Sequence, residues 1–495
     1  MGDSLSHPQE RLVVSPMKKP PNGRLKSWPR SRDLFDSTGM TESLRRSLYM
    51  VIWSVTVGMI STVVTTGAAW TGFLLEVIRA DDFQLGIIAA IPVAANTSQL
   101  FISYLMEKKR NRKFLFLFFG ILGRSLWIPI GLVPFFIPEV MGILRAWVVV
   151  LLVALIAGGN SFVNLGYNSL VGDLVPIRIR GRYFSARQRV SLIAGILAGF
   201  IVSWIMDTQG LLGYSIVLVL AGIFGVVDLA FFFFIDWPAM RVPKPEEKQE
   251  SFFSMIKAVF QNSAFMRVVL FYTFWNFAVN VSAPFFNVHM LENLHMTYTQ
   301  ITLFNQITSN ISTVLFVSRW GRLLDRYGNK PVLQTVALVC MLPPFLWIFV
   351  TPETSYMIIA INLIVGAFWP SIDIGQQNLS LSQSSEKNRS MYVAVFFATY
   401  NLLGIALGNT VGGLLVQSVY SHLDLLKLPF LGVTLNKYHY IFITSAVLRA
   451  VTVFFILPLL KEEGSKPLGM MMRDVAGKTK TGFQQKLLRR NPHNR

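Results

Sequence analysis

The stretch "RIRGRYFSAR", Arg178 to Arg187, decides the reading of this chain. Four arginines and two adjacent aromatics in ten residues could form a nucleic-acid patch, and a net charge of +19 agrees with that. What flanks the arginines argues otherwise. The 495 residues are 53% hydrophobic and 14% charged, against roughly 25% charged in a soluble domain. Between about residues 46 and 460, apolar runs follow one another, each long enough to cross a roughly 30 Å hydrocarbon core as a helix. "RIRGRYFSAR" is then a loop between two such runs, with no folded basic face around it, and nucleic acid is excluded as a partner.

Twelve spans are predicted, at about 47–76, 83–106, 114–136, 145–170, 184–206, 213–235, 267–290, 298–318, 331–350, 355–380, 391–418 and 438–460. The fold class is therefore an all-α polytopic membrane protein. Residues 1–45 are basic and proline-rich, have no apolar core that would make a signal peptide, and read as a disordered tail; 461–495 form a second basic tail. The sole cysteine, Cys340, leaves no disulfide framework and no cysteine-based metal site.

Twelve spans put both tails on one side. The five loops on that side, near 107–113, 172–189, 236–266, 319–330 and 383–390, hold 20 Lys and Arg; the opposite loops and their edges hold Arg79, Arg145, Lys427 and Lys437. This positive-inside asymmetry predicts a multi-pass protein of the cell membrane with both termini cytoplasmic. The tails would be drawn to anionic lipid.

The chain also reads as a duplication. Asn164 and Asp373 differ by 209 positions, as do Gly166 and Gly375, Arg180 and Arg389, Tyr183 and Tyr392, Gly195 and Gly404, and Gly199 and Gly408. Six pairs at one offset make 46–235 and 266–460 repeated halves of six spans, joined by a linker over 236–265 that carries an amphipathic stretch, "SFFSMIKAVF". Parallel six-helix repeats are a transporter architecture. Gly195 and Gly199 in span 5, and Gly404, Gly408 and Gly412 in span 11, suit close helix packing where the halves meet.

"GRLLDRYGNK", Gly321 to Lys330, falls between the second and third spans of the second half. It resembles the loop signature of the major facilitator superfamily, and the length, span count, linker and duplication resemble that family over roughly 46–460, most nearly its poorly characterised bacterial members. The equivalent first-half loop reads "MEKKRNRKF", with Glu107 in place of Asp325 and no glycines. The signatures of drug–proton antiporters are missing. The resemblance implies that Asp325, with Arg322, Arg326, Glu107, Arg180 and Arg389 around it, latches the cytoplasmic side. Carboxylates there would offset the helix N-termini of spans 5 and 11 and their arginines, with Asp173 a local rival.

Ionisable groups inside a membrane are costly and mark function or pairing. Arg124 in span 3 and Asp228 in span 6 lie at similar depths and read as an ion pair. Asp373 in span 10, a cavity-lining span by the resemblance, follows Trp369-Pro370, where a proline frees nearby carbonyls. It is the candidate for substrate or proton binding. Arg449 in span 12 has no evident partner. Amides recur at helical spacing: Asn160, Asn164 and Asn168 in span 4, Asn276 and Asn280 in span 7, Gln306 and Asn310 with Thr313 in span 8, and Tyr400 with Asn401 in span 11. They suit interhelical hydrogen bonds or a hydrated cavity.

The expected function is a secondary transporter moving a small solute by alternating access, with proton coupling, as a monomer and without cofactor or metal. No phosphate-cradling Gly-rich loop with Lys-Ser/Thr is present, so ATP is not the direct energy source. An intramembrane enzyme would need clustered nucleophiles, histidines or acids at one depth, and His289 lies near an outer end. A non-transporting receptor or scaffold on the same fold is the remaining alternative.

Overall fold

The structure is a computed structural model that describes residues 40–99, 101–102, 105–106, 111–176, 179–237, 252–385, 389–462 and 464–474. Among the described residues, ten helices are long and apolar enough to cross a membrane. They are Glu42–Val77 (span 1), Arg112–Phe136 (span 3), Glu139–Leu174 (span 4), Arg180–Gln209 (span 5), Leu211–Phe234 (span 6), Ser263–Glu292 (span 7), Asn329–Phe349 (span 9), Met357–Ser382 (span 10), Met391–Asp424 (span 11) and Lys437–Leu459 (span 12). Asp82–Asn96 is a shorter apolar helix in the place of span 2. Tyr298–Ile301, Thr302–Ile307 and Thr308–Tyr327 run on as span 8, whose polar face and basic end lower its hydropathy. The twelve helices form two six-helix halves. The start of span 1 and the end of span 12 define one end of the bundle, called here the terminal end; the other is the distal end.

The duplication is visible in packing. Buried Tyr183 donates to the Leu48 carbonyl at the start of span 1 (3.1 Å), and its repeat mate Tyr392 donates to Ala258 (3.3 Å). Ala258 belongs to the linker helix Phe252–Gln261, so this helix takes the place, before span 7, that the first turns of span 1 take in the first half.

"RIRGRYFSAR" is a correction to the sequence reading: from Arg180 onward it is the start of span 5, not a loop. Hydropathy registers only the part of a helix that prefers lipid, whereas arginine is a good helix former and extends the helix into water. These arginines serve the fold. Arg180 donates to the Gly172 carbonyl (3.1 Å) at the end of span 4, and the Arg187 guanidinium lies 5.0 Å from the Tyr167 ring centre.

The opposite-end basic residues are each held internally. Arg79 pairs with Glu139, Lys427 with Asp424 (3.0 Å) and Lys437 with Asp82 (2.8 Å). Arg145 is buried and donates from Nε, Nη1 and Nη2 to the carbonyls of Ile137, Val77 and Pro134, at the ends of spans 1 and 3. The first residues of the second basic tail dock on the bundle. Glu462 accepts from the Asn329 and Lys330 backbone N–H groups (3.0 and 2.7 Å) and so caps span 9, and Asp474 accepts from Arg326 and Tyr327 (3.1 and 2.7 Å). An uncapped helix start leaves backbone donors without partners, which a carboxylate satisfies.

Candidate functional site between the halves

Two helices break part-way along, nearer their distal ends. Span 1 is interrupted at Gly67, whose backbone is extended (φ −94°, ψ −174°). Its repeat mate, span 7, stops at Asn280 and restarts at Phe285 after Pro284. Span 8 widens to a π-helical turn over Thr302–Ile307 at the same place. Wide turns and broken helices leave backbone groups turned toward a cavity. A cavity of about 240 Å³ lies there, lined by Thr66 and Gly67 of span 1, Ser203 of span 5, Asn287 of span 7, and Gln306 and Asn310 of span 8.

Above this cavity the halves are closed. Asp207 of span 5 accepts from the backbone N–H groups of Tyr298 (2.8 Å) and Thr299 (3.1 Å), capping span 8 of the other half. The hydroxyls of Tyr214 and Tyr298 are 2.5 Å apart, and those of Ser203 and Thr302 2.7 Å. On the other flank Asp82 takes Lys437, and the Phe83 N–H donates to Gln417 (2.9 Å). Among the described residues, hydrogen bonds between the halves gather at this distal end. Spans 2 and 11 approach backbone to backbone there: a Cβ on Gly413 would lie 2.6 Å from the Asp82 carbonyl oxygen and 3.2 Å from the Gly86 Cα.

Toward the terminal end the halves leave a cleft of about 460 Å³ between spans 2, 4 and 11, lined by Asn96, Thr97, Gln99, Tyr400 and Asn401. Asn164 and Asn168 are exposed, with Asn164 in reach of Asn96 (3.4 Å). Asp373 is also exposed, within hydrogen-bonding reach of Trp369 and electrostatically near Tyr400.

The remaining candidates are placed as follows. Asn276 and Asn280 donate to backbone carbonyls one turn back in their own helix (2.8 Å each), beside Gly404 and Gly408 of span 11. The stripe at Gly404, Gly408 and Gly412 therefore packs on span 7 within the second half and not where the halves meet, a further correction. Gly199 does face the other half, at Thr302 and Gln306. The carbonyls that Pro370 frees are not open to a solute either. Thr313 donates to Gly366 (3.0 Å) and the Trp320 indole to Ala367 (2.5 Å), because a lone carbonyl in an apolar bundle is costly.

Asp325 and Arg322 are exposed, and Asp325 borders a groove with Asn378, Gln383 and Glu462. Arg326 turns to Asp474. Asp173 is taken by Arg112 (2.9 Å). Glu107 and the side chain of Arg389 lie outside the described residues. Arg124 and Asp228 meet at 2.7 Å, and Ser54 also donates to Asp228. The contacts that close the distal end, around Asp82, Asp207, Tyr298 and Lys437, are absent from the sequence reading. Their one signal is the scarcity of opposite-loop charges, which makes each one expensive to leave without a partner.

Two six-helix repeats around a central polar cavity, sealed at one end, define a membrane transport fold. The sequence matches the Major Facilitator Superfamily over residues 51–318 and again over 276–492, so the chain belongs to that family and is a polytopic membrane transporter of small-molecule solutes rather than an enzyme. Among solved structures it is similar to a mutant of the nucleoside transporter NupG (15% identity, 84% of this chain and 100% of that one, TM-score 0.64). It is also similar to a bacterial homologue of the human lysosomal transporter Spinster in an inward-facing, unoccupied conformation (16%, 85% and 98%, 0.62), and to a D-xylose–proton symporter (13%, 86% and 100%, 0.60). At these identities the likeness is one of fold. No curated protein matches the chain.

Proposed function

We propose that the protein is a secondary transporter that carries a small polar solute by alternating access, with Asp373 as the proton-coupling carboxylate. The observation that carries this is the polar cavity between the halves, with the contacts that join them gathered on its distal side. The basic-residue asymmetry assigns the terminal end, with both chain termini, to the cytoplasm of a cell-membrane protein. The conformation described is then inward-open. The lines 46–235 and 266–460 bound the two moving halves, and the monomer is the working unit. In the inward-open state Asp325 is unlatched; closure of the cytoplasmic side would bring it to the start of span 11.

Asp373 has the chemistry for coupling. It is exposed, within reach of Trp369 and electrostatically near Tyr400 of the cleft wall, and its repeat mate Asn164 is neutral, so the duplicated fold does not require a charge there. Asn164, Asn168, Gln306 and Asn310 supply neutral donors and acceptors for the solute. The test is uptake by liposomes under an imposed pH gradient, with the solute chosen by thermal stabilisation of the purified protein. Asp373→Asn keeps the shape and mimics the protonated carboxyl. It should remain folded, lose pH-driven accumulation and retain solute exchange. Full pH-driven uptake by that variant would remove Asp373 from coupling.

A further inference from the structure

A second cavity, of about 250 Å³, lies inside the second half behind the interhalf one, and the two share Asn287 and Asn305 as walls. It is lined further by Asn362, Trp347, Trp369 and Arg449. Its origin is local. Pro343 and Pro344 interrupt span 9, and Pro344 has no N–H to give the Cys340 carbonyl four residues back. Arg449 of span 12 supplies that donor instead, from Nη1 at 2.9 Å.

One carbonyl does not account for a guanidinium. Arg449 is 5% exposed, its Nε meets no acceptor, and among the described residues no carboxylate lies within ion-pair distance. Arg145 is as buried (6%), yet its Nε, Nη1 and Nη2 all donate to carbonyls at helix ends, so it is a structural cap. Arg449 has five N–H donors in a fixed fork, of which one is used on Cys340, and it lines a cavity walled largely by neutral amides and indoles. A buried guanidinium without an anion is costly, and its fork matches a carboxylate in bidentate geometry.

We propose that this cavity is a subsite for the carboxylate of a small organic anion. A single positive charge compensates a monoanion and undercompensates a phosphate dianion. The two indoles accept an apolar body, and Asn287 and Asn305 connect the subsite to the interhalf cavity. The inference deepens the transport reading by naming a substrate class, and it rests on that reading only for the direction of delivery.

The test is calorimetric titration of the purified full chain in detergent, without any membrane gradient, with acetate, benzoate, neutral benzamide and inorganic phosphate. Benzoate should bind, benzamide should not, and phosphate should bind more weakly. Arg449→Gln should weaken benzoate by about tenfold or more, the scale of one hydrogen bond to a charged group, with Arg449→Lys between. Should Arg449→Gln fail to fold, Asn305→Leu narrows the entry, leaves the Cys340 contact intact and should also weaken benzoate. No carboxylate binding, equal binding of benzoate and benzamide, phosphate binding as tight as benzoate, or unchanged binding in the variants would each overturn the assignment. Carboxylate binding without transport in liposomes would sink the transport reading alone, and transport of neutral solutes without carboxylate binding would sink this one alone.

Discussion

The two halves share a backbone plan and differ in how they treat charge. In the first half Arg124 reaches Asp228 across spans 3 and 6, and Ser54 adds a hydroxyl, so both ions are satisfied within the half. In the second half the acid and the base are on other spans: Asp373 is exposed and electrostatically near Tyr400 of the cleft wall, and Arg449 lies against a cavity with one carbonyl partner. Helix order and close contacts such as those of Tyr183 and Tyr392 repeat, but the ionisable groups deep inside the spans (Arg124, Asp228, Asp373 and Arg449) do not. Duplication fixes where backbones can approach, and each half is then free to pair its charges or to leave them facing a cavity.

The largest effect should come from breaking the first-half pair. Removing one partner of a buried ion pair leaves a lone charge in an apolar bundle, at a cost of about 3–5 kcal/mol. Arg124→Ala or Asp228→Ala should therefore strongly lower stability against denaturant, while Asp373→Asn should leave it nearly unchanged. Exchanging the pair for Arg124→Leu with Asp228→Leu should recover much of the loss, because no charge is then buried. Equal destabilisation by Asp228→Ala and Asp373→Asn would erase the contrast between the halves.

The second effect concerns the ends of the bundle. A Cβ on Gly413 meets span 2 backbone, the Asp82 carbonyl oxygen and the Phe83 and Gly86 regions, rather than flexible side chains. Gly413→Ala should force spans 2 and 11 apart at the distal end, at the roughly 1–3 kcal/mol typical of overpacking. That is enough to redistribute a near-balanced conformational equilibrium by about fivefold or more. The sole native cysteine, Cys340, is buried, so Asn310→Cys can report the cavity with little background. Its labelling by an impermeant reagent should become accessible from the distal side in Gly413→Ala. Unchanged labelling would mean that this contact does not hold the distal end closed.

How much of this was legible in the sequence follows from what each signal measures. Hydropathy measures transfer into lipid, so it located the spans but misplaced the start of span 5, where Arg180 to Arg187 continue the helix into water. A fixed offset measures descent, so it paired Tyr183 with Tyr392 without any knowledge of Leu48 or Ala258. Similar depth along two helices brought Arg124 and Asp228 together because few ions occur inside a bundle. Contacts that are specific only in three dimensions left no such trace. Trp320 and Thr313 cover the carbonyls freed by Pro370 from another span, and Arg145 reads as a loop charge until the ends of spans 1 and 3 are brought around it. The Gly86–Gly413 approach joins two glycines of different halves at no repeat offset. A GxxxG spacing marks a helix able to pack closely, but not which neighbour it packs against, as Gly404 and Gly408 against span 7 illustrate.

The smallest effect sharpens the likeness of the halves rather than their difference. Tyr183 and Tyr392 are repeat mates, 0% and 4% exposed, and each gives its hydroxyl to a backbone carbonyl, that of Leu48 in the first turns of span 1 or that of Ala258 in the linker helix before span 7. Removing the hydroxyl as Tyr→Phe costs about 0.5–1.5 kcal/mol where the carbonyl keeps another partner, and more where it is left alone. Leu48 lies inside span 1, where the helix supplies its carbonyl with a donor four residues on. Ala258 lies in the last turn of the linker helix, and Asn262, four residues on, gives its N–H to Val259 at 3.1 Å instead. The Ala258 carbonyl therefore depends more on Tyr392 than the Leu48 carbonyl does on Tyr183. Thermal unfolding should show Tyr392→Phe below Tyr183→Phe, with both above the variants of the Arg124–Asp228 pair. The reverse order would mean that the linker helix contributes less to the second half than the start of span 1 contributes to the first, and that the correspondence between them is one of position without equivalent energetics.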